Sequence, residues 1–146
     1  MRVRWCTGEL KTHIISKESN QLKGKKDVLH YVGIAADESH RCKQGKRYPL
    51  VEWGITEAQA LQICYDWGFD FGGLYKIHRR ASCWCCPLQR IDDLRKLRQH
   101  HPELWVRLLE MDNRARVLFG SAPFAQFKQR WSVAALDARF ATEESQ

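Results

Sequence analysis

The densest cysteine cluster of this chain lies in residues 81–89, which read ASCWCCPLQ. Three of the six cysteines fall here, Cys83, Cys85 and Cys86, and a proline follows directly at position 87. Cysteines at this density are uncommon unless a metal ion or a disulfide uses them. We therefore expect the rest of the chain to supply a further ligand and a helical cover for this segment.

The compartment implied by the sequence favours metal binding over disulfides. The chain starts Met1-Arg2-Val3-Arg4 and shows neither an apolar signal core nor a small-residue cleavage site. No apolar run approaches the roughly 18 residues of a membrane span. These features predict a cytoplasmic protein that makes no use of the membrane. In that reducing compartment, clustered cysteines are more often metal ligands or redox thiols than disulfides.

Length and charge limit the possible partners. The 146 residues predict a single domain, residues 1–146, with a core of its own. The net charge is +7, and residues 1–50 carry eleven basic and five acidic side chains, which gives +6. An anionic partner is expected to contact this first third, and nucleotide phosphate, sulfate and nucleic acid all fit. A solvated lysine-rich loop at residues 23–26 explains the basic run equally well.

Few segments have the pattern of a strand. A short strand is predicted to end at residues 3–5, and residues 30–36 form a β-rich run. Residues 16–27 are polar, which predicts an exposed loop. Residues 48–51 are predicted to be extended, because the residue before a proline is pushed out of the helical region.

Helical signals dominate from residue 56 onward. Thr56 and Gln59 form a capping box, and Gly68 is expected to end the helix that follows. Cys64 lies on the inner face of that helix and is expected in the core, whereas Cys42 lies in a polar loop and is assigned no role. Further helices are predicted at residues 91–100, from Pro102 to Gly120, over residues 123–130, and from a cap at Ser132.

Four blocks of sequence together resemble a known enzyme family. They are Trp5-Cys6-Thr7 with Leu10-Lys11, Gly33 to Arg41, Tyr48 to Trp53 with Thr56-Glu57, and Gly73-Leu74-Tyr75 with Ser82 to Pro87. In this order they are similar to the blocks of the phosphoadenylylsulfate (PAPS)/adenylylsulfate reductase family, of phage and bacterial type. That family belongs to the PP-loop, or adenine-nucleotide alpha-hydrolase, superfamily. The resemblance covers residues 5–89, and residues 90–146 are expected to be a helical extension.

The resemblance implies an α/β fold, namely the C-terminal part of a PP-loop sandwich that is dominated by helices and has a few short strands. The family's Ser-Gly-Gly-x-Asp-Ser nucleotide loop is absent from this sequence. We therefore expect the adenine nucleotide or adenosine phosphosulfate to be bound with the help of a missing N-terminal half or a partner chain. An unpaired sheet edge would also favour oligomers.

The resemblance further implies a [4Fe–4S] cluster bound by thiolates. The candidate ligands are Cys6, Cys83, Cys85 and Cys86, since such a cluster needs about four thiolates at one point. Zinc is the alternative metal, because four thiolates suit tetrahedral zinc equally well. The third interpretation is a set of buried thiols without metal.

An anion site is implied by the second block, with Arg41, Glu38 and Ser39 as its candidates, because arginine binds phosphate or sulfate with two parallel hydrogen bonds. Lys11 of the first block is expected to add a point charge. The alternative is a surface ion pair between Glu38 and Arg41. No catalytic residue is assigned.

Two interpretations fit the basic residues that precede the cysteines. His78, Arg79 and Arg80 are predicted to contact the substrate or to offset the negative charge of a cluster. A solvated turn explains them equally well. His100-His101 is interpreted as a junction between helices.

Three functions are therefore open. The first is an oxidoreductase or sulfurtransferase that reduces activated sulfate or transfers sulfur with an adenine nucleotide. The family's C-terminal catalytic cysteine is absent, which favours sulfur transfer or nucleotide modification. The second is a basic cysteine-metal module that binds nucleic acid without catalysis. The third is an inactive, truncated remnant folded around its metal.

Overall fold

The computed structural model of the chain describes residues 5–23, 27–120, 122, 127–128 and 130–145. Helices dominate these residues, as predicted, and backbone pairing between extended segments is limited there to two isolated bridges. None of the described helices is both long and apolar enough to cross a membrane. The chain divides into two compact units, Met1–Phe69 and Asp70–Gln146, which are described separately.

The first unit begins with one continuous helical stretch. It consists of α1 (Trp5–Thr7), a π-helical turn (Gly8–Thr12) and α2 (His13–Lys23). The loop predicted over residues 16–27 is therefore wrong as far as residue 23. Lys17, Glu18 and Gln21 are good helix formers, and their polarity concealed a helix that buries no side chain. The predicted strand at residues 3–5 falls outside the described residues except for Trp5, which is helical.

The β-rich run at residues 30–36 is extended but forms a single parallel bridge, Tyr31 with Arg47. The N–H of Val32 donates to the Arg47 carbonyl at 2.9 Å, and the N–H of Arg47 donates to the His30 carbonyl at 2.8 Å. A 3-10 helix, Ala36–Arg41, follows directly. The predicted strand is therefore limited to a single β-bridge.

A second correction concerns residues 48–51, which were predicted to be extended. Pro49–Glu52 is instead a short helix, α3, with the proline in its first turn. Only Tyr48 leaves the helical region, with φ −131° and ψ 77°. The proline restricts the residue before it, and its own fixed φ suits a helix start.

The helix α4 (Glu57–Asp66) has the predicted capping box. The Thr56 hydroxyl accepts a hydrogen bond from the N–H of Gln59 at 3.3 Å, and the Gln59 side-chain oxygen accepts one from the N–H of Thr56 at 2.9 Å. Gly68 follows with φ +85°, a left-handed conformation that glycine adopts without steric cost. Cys64, expected in the core, is only half-buried.

The second unit contains the remaining helices. They are a 3-10 turn (Phe71–Gly73), α5 (Leu74–Ile77), α6 (Ile91–His100), α7 (Pro102–Phe119) and α8 (Val133–Glu144). The predicted helix starts at Pro102 and at the Ser132 cap are confirmed, as is the stop at Gly120. The helix predicted over residues 123–130 lies largely outside the described residues.

One apolar cluster holds α6, α7 and α8 together. Its buried members are Leu94, Leu97, Trp105, Leu108, Val133, Leu136 and Phe140. Trp84 and Cys85 from the cysteine-rich segment pack against this cluster. The three helices therefore form the surface against which Trp84 and Cys85 pack.

Polar contacts fix α8 against the other two helices. The guanidinium of Arg98 and the indole N–H of Trp105 both donate to Asp137 Oδ1, at 2.8 and 2.7 Å. Burial alone would raise the pKa of Asp137, but these two hydrogen bonds outweigh it, so the pKa lies below its usual value. At the start of α8, the buried carboxylate of Asp112 accepts a hydrogen bond from the N–H of Val133 at 3.0 Å.

Candidate metal and anion sites

Residues 83–86, called here the cysteine turn, form a tight backbone turn. The N–H of Cys86 donates to the carbonyl of Cys83 at 3.1 Å. The first and last Cα atoms of such a turn lie within about 7 Å of each other. Cys83 is exposed and Cys86 is half-buried. The Cys-x-x-Cys spacing therefore places the backbones of two cysteines close together in a single turn.

The other two predicted ligands have different surroundings. Cys85 packs against the apolar cluster of the helices, and Cys6 is exposed on α1 in the first unit. In the described part of the chain, no three His, Cys, Asp or Glu side chains lie close enough together to hold one metal ion. Within these residues one hydrogen-bonded turn joins Cys83 to Cys86, and a metal bound by all four cysteines stays a prediction.

Two side chains hold the backbone around the cysteine turn. The ammonium group of Lys128 donates to the carbonyls of Pro87 and Gln89, at 2.9 and 2.6 Å. The amide of Gln89 donates back to the Ser82 hydroxyl at 3.1 Å and to the Cys83 carbonyl. The contact of Lys128 spans 41 residues of sequence. No local pattern signals such a contact, and sequence reasoning missed both residues.

A pocket of about 160 Å³ lies beside the cysteine turn, within the second unit. Its lining is Leu74, His78, Arg80, Ser82, Trp84, Gln89, Leu97, His101 and Leu104. The rings of His78 and His101 are stacked, with centroids 5.6 Å apart and planes inclined by 17°. Burial, and then the charge of nearby His101, lowers the pKa of His78. His101 does lie between α6 and α7, and it also forms half of this stacked pair.

The predicted anion-binding residues belong to the first unit. Arg41 pairs with Glu38 inside the 3-10 helix, with the two side chains 56% and 39% exposed. Ser39 is exposed on the same helix, and Lys11 is exposed on the π-helical turn. The surface ion pair of the alternative interpretation is therefore present. Anion binding at Arg41 stays a prediction, since the ligand would have to replace Glu38.

Asp37 positions the Arg41 block, a role not predicted from the sequence. Its Oδ1 accepts a hydrogen bond from the N–H of Glu57 at 3.1 Å. That N–H is one of the free donors at the start of α4. The 3-10 helix is thereby fixed to the first turn of α4.

Comparison with known proteins gives one distant relative. A protein of Methanocaldococcus jannaschii described as uncharacterized is 27% identical, in an alignment that covers 70% of this chain and 24% of that protein. The chain thus spans about a quarter of the length of that relative. No protein-family model matches the chain, and no solved structure matches it.

Proposed function

We propose that this chain is the cysteine-bearing portion of a protein of the PAPS/adenylylsulfate reductase type, and that its cysteine turn binds a metal. The observation that carries the proposal is the hydrogen-bonded turn from Cys83 to Cys86. A Cys-x-x-Cys pair chelates a metal because one turn supplies both thiolates. The four motif blocks, in family order, support an adenine-nucleotide-dependent sulfur transfer or sulfate reduction on a PP-loop α/β fold.

Cys83 and Cys86 are the proposed anchor of an iron–sulfur cluster, with zinc as the alternative metal. Cys85 and Cys6 are the candidates for the remaining ligands. A bound [4Fe–4S] cluster would supply a redox-active centre, whereas zinc would stabilise the fold. Pro87 directly after the last cysteine is common in iron–sulfur ligation.

The surroundings of the turn suit bound thiolates. Trp84 is half-buried against the helices, and it would shield one side of a bound metal from water. The guanidinium carbon of Arg107 lies 5.5 Å from the centre of the Trp84 ring. A cation at this place offsets the negative charge that thiolates bring.

Metal content of variants tests the anchor. The protein is purified without oxygen and its iron, sulfide and zinc are measured per chain. Cys83→Ser and Cys86→Ser are expected to lose most of the metal, because each removes one of the two chelating sulfurs. Cys42→Ser, a half-buried cysteine of the first unit, is the matched control and should retain it. Equal metal content in all three variants would contradict the proposal, and Cys6→Ser tests the fourth ligand separately.

Arg41 is proposed to bind the phosphate or sulfate group of the adenine-nucleotide ligand. Its planar guanidinium can form two parallel hydrogen bonds to such a group once Glu38 is displaced. Arg41→Ala is expected to weaken adenosine phosphosulfate binding about tenfold or more. Lys43→Ala removes the same charge from an exposed neighbour and should change the affinity by less than about twofold. Calorimetric titration measures both, and equal losses would refute the assignment.

A further inference from the structure

We propose that the pocket lined by His78, Arg80, Ser82 and His101 is a second, separate binding site for a small oxyanion, either free sulfate or phosphate or the same group on a larger ligand. It lies wholly within the second unit, whereas Arg41 belongs to the first. The proposal requires neither a bound metal nor the family resemblance.

The size of the pocket limits what it can hold. Its volume of about 160 Å³ corresponds to roughly five water molecules at 30 Å³ each. Sites for drug-sized ligands begin at about 300 Å³. A tetrahedral oxyanion with one or two waters fits this space, and a whole nucleotide does not.

The charges of the pocket favour an anion. Its lining contains a permanently charged guanidinium, Arg80, and no Asp or Glu. Among the described residues, no carboxylate forms an ion pair with Arg80. Arg107 lies over Trp84, which lines the same pocket. The lining itself therefore carries a positive formal charge even when both histidines are neutral.

Hydrogen-bond donors are also available. The Ser82 hydroxyl oxygen accepts a hydrogen bond from the Gln89 amide, so its own hydrogen remains for a ligand. His101 immediately precedes α7, a helix of 18 residues, whose first turn adds the positive end of the helix dipole. Together with Arg80 and the two imidazoles, these groups can surround a tetrahedral anion.

The stacked histidines make the site dependent on pH. Protonating both rings at 5.6 Å is unfavourable, because the two positive charges repel each other. Besides His101, the charges acting on His78 are His100 and Lys96, which oppose its protonation, and Asp93, which favours it. An oxyanion supplies the missing negative charge. Because the pKa of His78 is lowered, binding should strengthen as the pH falls below the ordinary histidine value of about 6.5.

Sulfate titration of the whole chain, followed by the histidine ring signals in NMR, tests the site. Sulfate is expected to raise the pKa of His78, and to bind about tenfold more tightly at about pH 5.5 than at about pH 8. Sodium chloride at equal ionic strength should leave the pKa of His78 unchanged. An unchanged pKa of His78 in sulfate would overturn the proposal.

A pair of adjacent arginines provides the matched variants. Arg80→Gln is expected to lower the sulfate affinity about tenfold, the loss typical of one charge-assisted hydrogen bond. Arg79→Gln removes the same charge from an exposed residue that does not line the pocket, and should change the affinity by less than about twofold. Equal losses of sulfate affinity in both variants would show that sulfate responds to the surface charge in general, and would refute the site. The Cys83→Ser chain should bind sulfate normally, so failure of the metal proposal and failure of this one are distinguishable.

Discussion

Lys128→Met should loosen the cysteine turn without unfolding the protein. Methionine keeps an unbranched, mostly apolar side chain and removes the ammonium group that donates to the carbonyls of Pro87 and Gln89. A hydrogen bond from a charged group contributes about 1.5–3 kcal/mol. Both carbonyls are only partly buried, and water replaces part of what is lost. We therefore expect the variant to lower the free energy of opening this segment by about 2 kcal/mol in total.

Amide hydrogen exchange measures this opening directly. The N–H groups of Cys86 and Gln89 close the local turns at 3.1 and 3.2 Å, and they exchange when the segment detaches. A change of about 2 kcal/mol corresponds to roughly 30-fold faster exchange. Arg130→Met is the control, since it removes the same charge from an exposed neighbour. Exchange rates that agree within about twofold between the two variants would refute the role assigned to Lys128.

Three further variants and one control test the helical core and its polar contacts. Phe140→Ala should lower the free energy of unfolding in urea by about 3–5 kcal/mol, because the ring is fully buried. The control Val117→Ala changes a side chain that is 76% exposed and should lower it by less than about 0.5 kcal/mol. Similar losses in both variants would contradict the assignment of Phe140 to the core. Ser132→Ala should lower the free energy of unfolding by about 1 kcal/mol, because it removes the N-cap hydrogen bond of α8. An unchanged midpoint of urea unfolding would argue against that cap. The pKa of Asp137 is lower in the folded chain than in the unfolded chain, where it is about 3.9. The ionised carboxylate therefore stabilises the fold at pH values above about 3.9, and this stabilisation disappears as the pH falls through the pKa of the folded state. Thermal unfolding of Asp137→Asn should therefore depend less on pH in that acid range than unfolding of the natural chain, and parallel profiles would contradict the Arg98 and Trp105 contacts.

Helix boundaries in this chain were predictable because their signals are local. Thr56 with Gln59, Pro102, Gly120 and Ser132 each act within about one helical turn of their own position. Such contacts form whatever the rest of the chain does.

The missed features depend on distant or solvent-facing residues. The helix α2 buries no side chain, so its sequence lacks a clear apolar face, and its polar residues predict a loop. The β-rich run at residues 30–36 lacks strand partners beyond Arg47 within the described residues. Extended residues without partners do not make a sheet.

The candidate site was predictable only in part. The spacing of Cys83 and Cys86 indicated a chelating turn, and the turn is present. The packing of Cys85 against the helices, the support from Lys128 and the stacking of His78 on His101 all depend on tertiary contacts. No window of sequence contains both partners of those contacts.

X-ray absorption at the edge of the bound metal tests the central claim most directly, because it reports the atoms that surround the metal. For protein purified without oxygen, we predict a shell of sulfur atoms at about 2.3 Å. That shell should lose sulfur in Cys86→Ser and stay complete in Cys42→Ser. A protein without bound metal, or a metal surrounded only by nitrogen and oxygen, would contradict the assignment of Cys83 and Cys86 as metal ligands.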